Sequence, residues 1–350
     1  MQIAIVCRDD LLLNRGGDTT QILLLRDALL EKNISVFINP NQNQIKNCDI
    51  VHFFNIQRTG DLVQFKKLSE NLDAKTVKVF TPIIWDLTNA HWELCKLGPP
   101  ENRLSNLIKY YARRIRFNFR TWREWRSFIN SCDYLFVNSI AETEYLVYEL
   151  NMPSLRAKSK IMANVIDHRK FKYQNKSKKD IDLLIAARVE PLKGHHLLLN
   201  AIDYGVQHEE LKIVFVGKKP EKNYLKQLMK YRSFGSVYFA GEKNSDDLRL
   251  LYMQSKVHVL PSLRESPGLA TLEASACGTK CIASCYAPVQ EYFDHPNIIV
   301  CDPFDTKLFA SVITDTLDLF ADTASDTRYV SSQHVGKFIR LYDSILNDKL

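Results

Sequence analysis

The residues best suited to chemistry lie in one run, Pro261-Ser262-Leu263-Arg264-Glu265-Ser266-Pro267-Gly268-Leu269-Ala270-Thr271-Leu272-Glu273. It follows a strand-like stretch over residues 257–260 and opens a helix. Two carboxylates, Glu265 and Glu273, flank the turn and the first helical residues, and both can accept hydrogen bonds from sugar hydroxyls. With a helix beginning near Gly268, Glu273 lies about two turns further along. Gly268 lets backbone approach a ligand closely, and the N–H groups of the first turn, at Leu269 and Ala270, suit an anion such as a diphosphate. Spacing alone equally allows an N-terminal helix acid favoured by the dipole and a solvent-exposed glutamate.

A second constellation, Ala186-Ala187-Arg188-Val189-Glu190-Pro191-Leu192-Lys193-Gly194, also leaves a strand and opens a helix. Arg188 and Lys193 put two cations where a phosphate would sit, and cations at developing negative charge stabilise a leaving diphosphate. Surface cations with no ligand are the alternative. Another strand ends at Val216-Gly217-Lys218, and Asn14-Arg15-Gly16-Gly17-Asp18-Thr19 fills the loop after the first strand, where paired glycines permit close approach to a phosphate. His195 and His196 start a helix and read as a capping or surface pair. Asp180-Ile181-Asp182 spells a metal-binding D-x-D, but at a strand start in a charged linker it reads as coincidence. No other carboxylate and histidine grouping suggests a metal, so neither a metal nor a cofactor is expected.

These loops need strands that end at them. In the first half, apolar runs at residues 3–7, 34–38, 49–55, 76–81 and 134–138 alternate with helical patterns, as in a parallel sheet covered by helices. A polar, lysine-rich stretch over residues 170–180 reads as a linker. The alternation then restarts at residues 183–187, 211–216, 237–240, 257–260, 280–284 and 298–301, a second doubly wound sheet. The chain has 350 residues, beyond the length that one core usually serves. Residues 1–168 therefore read as one Rossmann-like domain, 169–330 as a second facing it across a cleft, and 331–350 as a helix returning to the first.

Hydrophobic residues at 45% and charged residues at 25% exclude disorder and fibrous classes. The eight cysteines, at positions 7, 48, 95, 132, 277, 281, 285 and 301, form no CxxC pair and read as reduced, buried thiols. The net charge of +7 does not choose between nucleic acid, an anionic membrane and a phosphorylated substrate. No G-x-G-x-x-G follows the first strand, which disfavours a nicotinamide dehydrogenase, and the basic residues match no nucleic-acid module. The opening residues lack the flanks of a signal peptide, and no apolar run reaches the roughly 18 residues that span a bilayer, so a cytoplasmic protein is expected. From Leu107 to Ile129, aromatic and aliphatic residues share one helical stripe and Lys109, Arg113, Arg116, Arg120 and Arg123 another. Such a helix can lie on an anionic membrane at its cytoplasmic face, or pack on its own sheet with its arginines in water.

Together these stretches resemble the family 4 retaining glycosyltransferases of the GT-B fold. The resemblance runs from Gly16-Gly17, through Cys132-Asp133-Tyr134-Leu135-Phe136-Val137-Asn138-Ser139 and Asn164-Val165-Ile166-Asp167 with Phe171, to Arg188 with Lys193-Gly194, Gly217, Gly241, and the E-x7-E pair Glu265 and Glu273. It implies a C-terminal domain that holds a nucleotide sugar. Arg188 and Lys193 would meet the diphosphate, Glu265 the sugar, Gly268 and Leu269 the donor oxygens, and Glu273 the ribose hydroxyls. It also implies metal-independent transfer, with retention, to a glycan or lipid-linked acceptor in surface polysaccharide or glycolipid synthesis. Thr81-Pro82-Ile83-Ile84-Trp85-Asp86 departs from the pattern, with Trp85 where many members carry a histidine, and Val165 stands where a glycine is common. Trp85, Asp86 and nearby His91 are the acceptor-side candidates. A nucleotide-sugar epimerase of the same architecture and a non-catalytic nucleotide-sugar-binding subunit are the rival readings.

Overall fold

A computed structural model describes residues 1–14, 16–55, 59–84, 123–173, 178–206, 210–319 and 325–348, with Cys95, Leu104, Leu107, Ile108 and Tyr111. The chain forms two compact units. Residues 1–165, apart from a short stretch outside the described residues, join residues 330–350 in the first, and residues 166–329 make the second.

The first unit is built on six parallel strands, β1 (Gln2–Val6), β2 (Ser35–Ile38), β3 (Ile50–Phe54), β4 (Val77–Thr81), β5 (Tyr134–Val137) and β6 (Ser159–Ile161). They lie in the order β2-β1-β3-β4-β5-β6. Every residue of β3 is buried, because a parallel sheet is covered on both faces and its strands run continuously apolar. The two-residue period divides them. Val51 and Phe53 join Ala4, Val6 and Phe80 on one face, while Ile50 and Phe54 join Ile3, Ile5 and Val79 on the other.

Residues 123–131 form a helix whose Trp125, Phe128 and Ile129 enter the first of these cores. That end of the arginine-rich stretch therefore packs on its own sheet, while residues 112–122 lie outside the described residues. The opposite face is closed by the last helix, Ser331–Asn347, through Phe338, Tyr342 and Ile345. Beneath it His52 is fully buried, with Nδ1 2.6 Å from the Tyr342 hydroxyl and Nε2 2.7 Å from Thr81 Oγ1. No helix among the described residues is long and apolar enough to cross a membrane.

The second unit holds β7 (Ile181–Ala186), β8 (Ile213–Val216), β9 (Val237–Gly241), β10 (Ser255–Leu260), β11 (Lys280–Ser284) and β12 (Ile298–Cys301), all parallel. Their order is β12-β11-β10-β7-β8-β9. Strands β7 and β10 are neighbours although β8 and β9 separate them in sequence, so the chain's winding reverses between them. At such a reversal the loops leaving the two strands diverge to opposite faces and open a crevice at their carboxyl ends. In the first sheet the reversal falls between β1 and β3.

One reading changes in this frame. Cys285 is exposed just past the end of β11, unlike the buried Cys277, Cys281 and Cys301. Asp180 and Asp182 are engaged by lysines: Asp180 pairs with Lys212 at 3.3 Å and Asp182 with Lys256 at 2.7 Å.

Candidate functional site

The loops leaving β7 and β10 are stitched to each other. The Leu263 amide donates to the Leu192 carbonyl at 2.9 Å. Gly194 takes a left-handed φ of +70°, and a Cβ there would fall 1.9 Å from the Pro261 carbonyl oxygen. Only a residue without a Cβ lets the two backbones approach this closely. On the other side, Gly217 has φ +140°, and a Cβ there would lie 2.2 Å from the Ala187 carbonyl oxygen. Its observed contact is thus with the backbone beside Arg188.

This stitching brings Lys193 to Glu265. The ammonium donates to Oε1 of Glu265 at 2.6 Å, and the Ser262 hydroxyl donates to the same oxygen at 2.7 Å. The Glu265 amide donates to the Tyr286 carbonyl at 3.0 Å, which fixes the residue from below. With both donors on Oε1, no hydrogen bond from the described residues reaches Oε2. Ser262 is fully buried and was not singled out by sequence reasoning. Its position three residues before a glutamate on a turn was the available signal.

Arg188 is not part of this cluster. Its side chain is 66% exposed and pairs with Glu190 at 3.1 Å. The helix Leu269–Ala276 starts directly after Gly268, whose φ of +93° turns the chain into it. Leu269 and Ala270 therefore occupy the first turn, where amides have no partner within the helix. A Cβ at Gly268 would press on Glu265 Cγ at 3.3 Å, so this glycine also leaves room for the Glu265 stem.

Glu273 lies on the same helix, and its Oε2 accepts a hydrogen bond from the Tyr252 hydroxyl at 3.1 Å. The residue keeps part of its surface, yet burial of the carboxyl pushes it up to about 8, against the opposing pull of the Tyr252 phenol and the Lys170 cation. His195 and His196 are buried in the core rather than at the surface. His195 packs edge-on against Phe215 with ring centroids 4.7 Å apart, and His196 Nδ1 lies 2.9 Å from the Tyr224 hydroxyl. Burial lowers them to about 3 and about 4 respectively, so both rings are neutral packing groups near pH 7. The reason is local. The left-handed turn at Gly194 sends the first turn of the helix His195–Gly205 inward beneath the β7 loop.

In the first unit, Gly16 precedes the helix Gly17–Leu30 in extended backbone that any residue can adopt. That loop is organised by Arg8, which the sequence presented only as a charge behind an apolar run. Its guanidinium donates to Asp18 at 2.8 Å, to Asp10 at 2.9 Å, to Thr19 Oγ1 at 3.1 Å and to the Asn14 carbonyl at 2.5 Å. Asn55, at the end of β3, also reaches Asp18 at 3.3 Å, so the network spans the strand reversal. Arg15, Trp85, Asp86 and His91 lie outside the described residues.

Residues 167–326 match the family described as glycosyl transferases group 1. The chain is similar to an uncharacterized glycosyltransferase of Methanocaldococcus jannaschii, 31% identical over 114 residues, which are 32% of this chain and 29% of that protein. It is also similar to the phosphatidylinositol N-acetylglucosaminyltransferase gpi3 subunit of Schizosaccharomyces pombe, 26% identical over 185 residues, 50% of this chain and 41% of that protein. The match thus spans less than half the length of these curated relatives. The crystal structure of Anabaena Alr3699/HepE in complex with UDP superposes with a TM-score of 0.70, covering 98% of this chain and 100% of that one at 15% identity, a likeness of fold. Residues 167–326 are accordingly similar to group 1 glycosyl transferases, in a chain with the two Rossmann-like domains of the GT-B fold.

Proposed function

We propose that the chain is a retaining, family 4 glycosyltransferase that moves a sugar from a nucleoside-diphosphate sugar to a glycan or lipid-linked acceptor in surface polysaccharide or glycolipid synthesis. The observation that carries this reading is the Lys193–Glu265 pair at the β7/β10 reversal, beside the first turn of the helix Leu269–Ala276. One oxygen of Glu265 serves as counter-ion to Lys193, and the other is open to a sugar hydroxyl. An arriving diphosphate competes for the ammonium, so Lys193 meets the leaving group while Glu265 turns to the sugar.

As the glycosidic bond breaks, positive charge grows on the sugar and negative charge on the diphosphate. Interactions that strengthen with that separation lower the barrier. Lys193, Arg188 swung from its exposed pairing with Glu190, and the amides of Leu269 and Ala270 supply this stabilisation without a metal. Gly16 and Gly17 leave the start of the first helix open to a ligand, and Trp85, Asp86 and His91 serve the acceptor side. Work on a lipid-linked acceptor places the protein at the cytoplasmic face of a membrane, with contact made by the Leu107 to Ile129 stretch ahead of the buried Trp125.

The test is product analysis with UDP-, GDP- and ADP-sugars and a panel of glycan and lipid-linked acceptors. Sugar appearing on an acceptor with its anomeric configuration kept supports the proposal. An altered free nucleotide sugar identifies an epimerase instead, and binding without turnover a silent subunit. Lys193→Ala and Arg188→Ala are each expected to lower turnover by roughly 100-fold or more in a folded protein. Near-normal turnover in both variants sinks the assignment.

A further inference from the structure

Glu273 is held from beneath by a residue of a different element. The helix Ser245–Gln254 runs into β10, and its Tyr252 is fully buried. A buried phenol needs a hydrogen-bond partner, and this one donates to Oε2 of Glu273 at 3.1 Å. The phenol is itself immobilised. The Tyr252 carbonyl accepts from Thr279 Oγ1 at 2.6 Å, and the ring is flanked by Phe171 and His258, with centroids 6.1 Å and 5.5 Å away. No hydrogen bond from the described residues reaches the other oxygen of Glu273.

We infer that Tyr252 is a positioning residue for the nucleotide. Its fixed hydroxyl holds one carboxylate oxygen of Glu273, so that the other is presented to the ribose hydroxyls of a nucleoside diphosphate. This rests on the assignment of Glu273 to the donor made above.

Ribose hydroxyls donate hydrogen bonds and are best received by the ionised carboxylate. Burial resists that ionisation and pushes Glu273 up to about 8, while the phenol favours the charged form. The other groups around the pair are Lys170, which acts in the same direction as the phenol, Cys277 one turn along the helix, and His258 and Cys281 on the strands below. Burial keeps both thiols protonated, Cys277 at about 12 and Cys281 well above its usual value, and His258, at about 3, is neutral. Between neutral and mildly alkaline pH, Glu273 is therefore the group of this cluster whose charge changes and which the phenol can bias.

The experiment is calorimetric titration of UDP, GDP and ADP into the full chain from about pH 6 to about pH 9, a window around the Glu273 value. One nucleotide is expected to bind the unmodified chain with affinity that rises across this window. Tyr252→Phe should weaken it roughly 5- to 10-fold near neutrality, as expected for one lost hydrogen bond to a charged group, and should move the midpoint of the rise to higher pH. Glu273→Gln should weaken it at least as much and abolish the rise. Should Tyr252→Phe fail to fold, a single fluorotyrosine at 252, with a more acidic phenol, is expected to move the midpoint down. A Tyr252→Phe chain with unmoved midpoint overturns the positioning role, whether or not its affinity falls, while leaving the donor reading intact. Unchanged binding in Glu273→Gln, or no binding of any nucleotide by the unmodified chain, overturns the donor reading itself.

Discussion

Gly194 and Gly241 have nearly the same backbone conformation, with φ of +70° and +71°, but different surroundings. A Cβ at 241 meets nothing within 4 Å, whereas one at 194 would lie 1.9 Å from the Pro261 oxygen and 2.7 Å from its carbonyl carbon. Alanine in left-handed backbone costs about 1–2 kcal/mol by itself, and Gly241→Ala measures that cost alone. Gly194→Ala adds a collision with backbone that no side-chain rotamer relieves. The Pro261 loop must retreat until the contact reaches the 3.4 Å of ordinary packing. Overpacking of this kind adds about 1–3 kcal/mol, so Gly194→Ala should cost about 2–5 kcal/mol in total, a large share of the roughly 5–15 kcal/mol that a domain possesses. Equilibrium urea unfolding of both variants reads the difference, with an unchanged slope confirming that the unfolded states are comparable. Because Pro261 leads to Ser262, and Ser262 to Glu265, nucleotide affinity should also fall further in Gly194→Ala than in Gly241→Ala. Equal destabilisation of the two variants would falsify the argument that the site loops are held together through this close approach.

Arg8→Ala removes the partner of the largely buried Asp18 and should cost about 3 kcal/mol of stability in urea unfolding. Burial pushes the Asp18 carboxyl up, but hydrogen bonds and charge from Arg8 bring it below the ordinary range. A carboxyl lowered on folding stabilises the protein above its unfolded pKa, and that contribution is lost as pH falls through the folded value. The unmodified chain should accordingly lose stability on acidification through and below the ordinary carboxylate range more steeply than Asp18→Asn, and parallel profiles would refute this. Tyr342→Phe leaves the buried Nδ1 of His52 without its hydroxyl partner and should cost about 1–3 kcal/mol. An unchanged urea midpoint would show that the contact does not hold the last helix to the first sheet.

The alternation of apolar runs and helical patterns was enough to find eleven of the twelve strands among the described residues, because burial on both faces writes a parallel strand as an uninterrupted apolar segment. The exception is β6, Ser159–Ile161, an edge strand of three residues with one aliphatic side chain and no such run. β7 begins at Ile181, earlier than its apolar pattern suggests, because Asp182 sits within it, paired with Lys256 from neighbouring β10. His195 and His196 misled for a related reason. Polar residues at a helix start are usually exposed, and only the geometry of the turn at Gly194 turns these two inward.

By itself the sequence determined two parallel sheets, the loops that leave their strands, and the residue types those loops carry, since strand and helix periods are local properties of the chain. Only the tertiary structure decided that Lys193 meets Glu265 while Arg188 pairs with Glu190, that Tyr252 reaches Glu273, and that the last helix completes the first unit through Tyr342 and His52. Each of these depends on which strands are neighbours. Local pattern does not encode that, because β7 and β10 come together only after two intervening strands have wound outward on one side of β7.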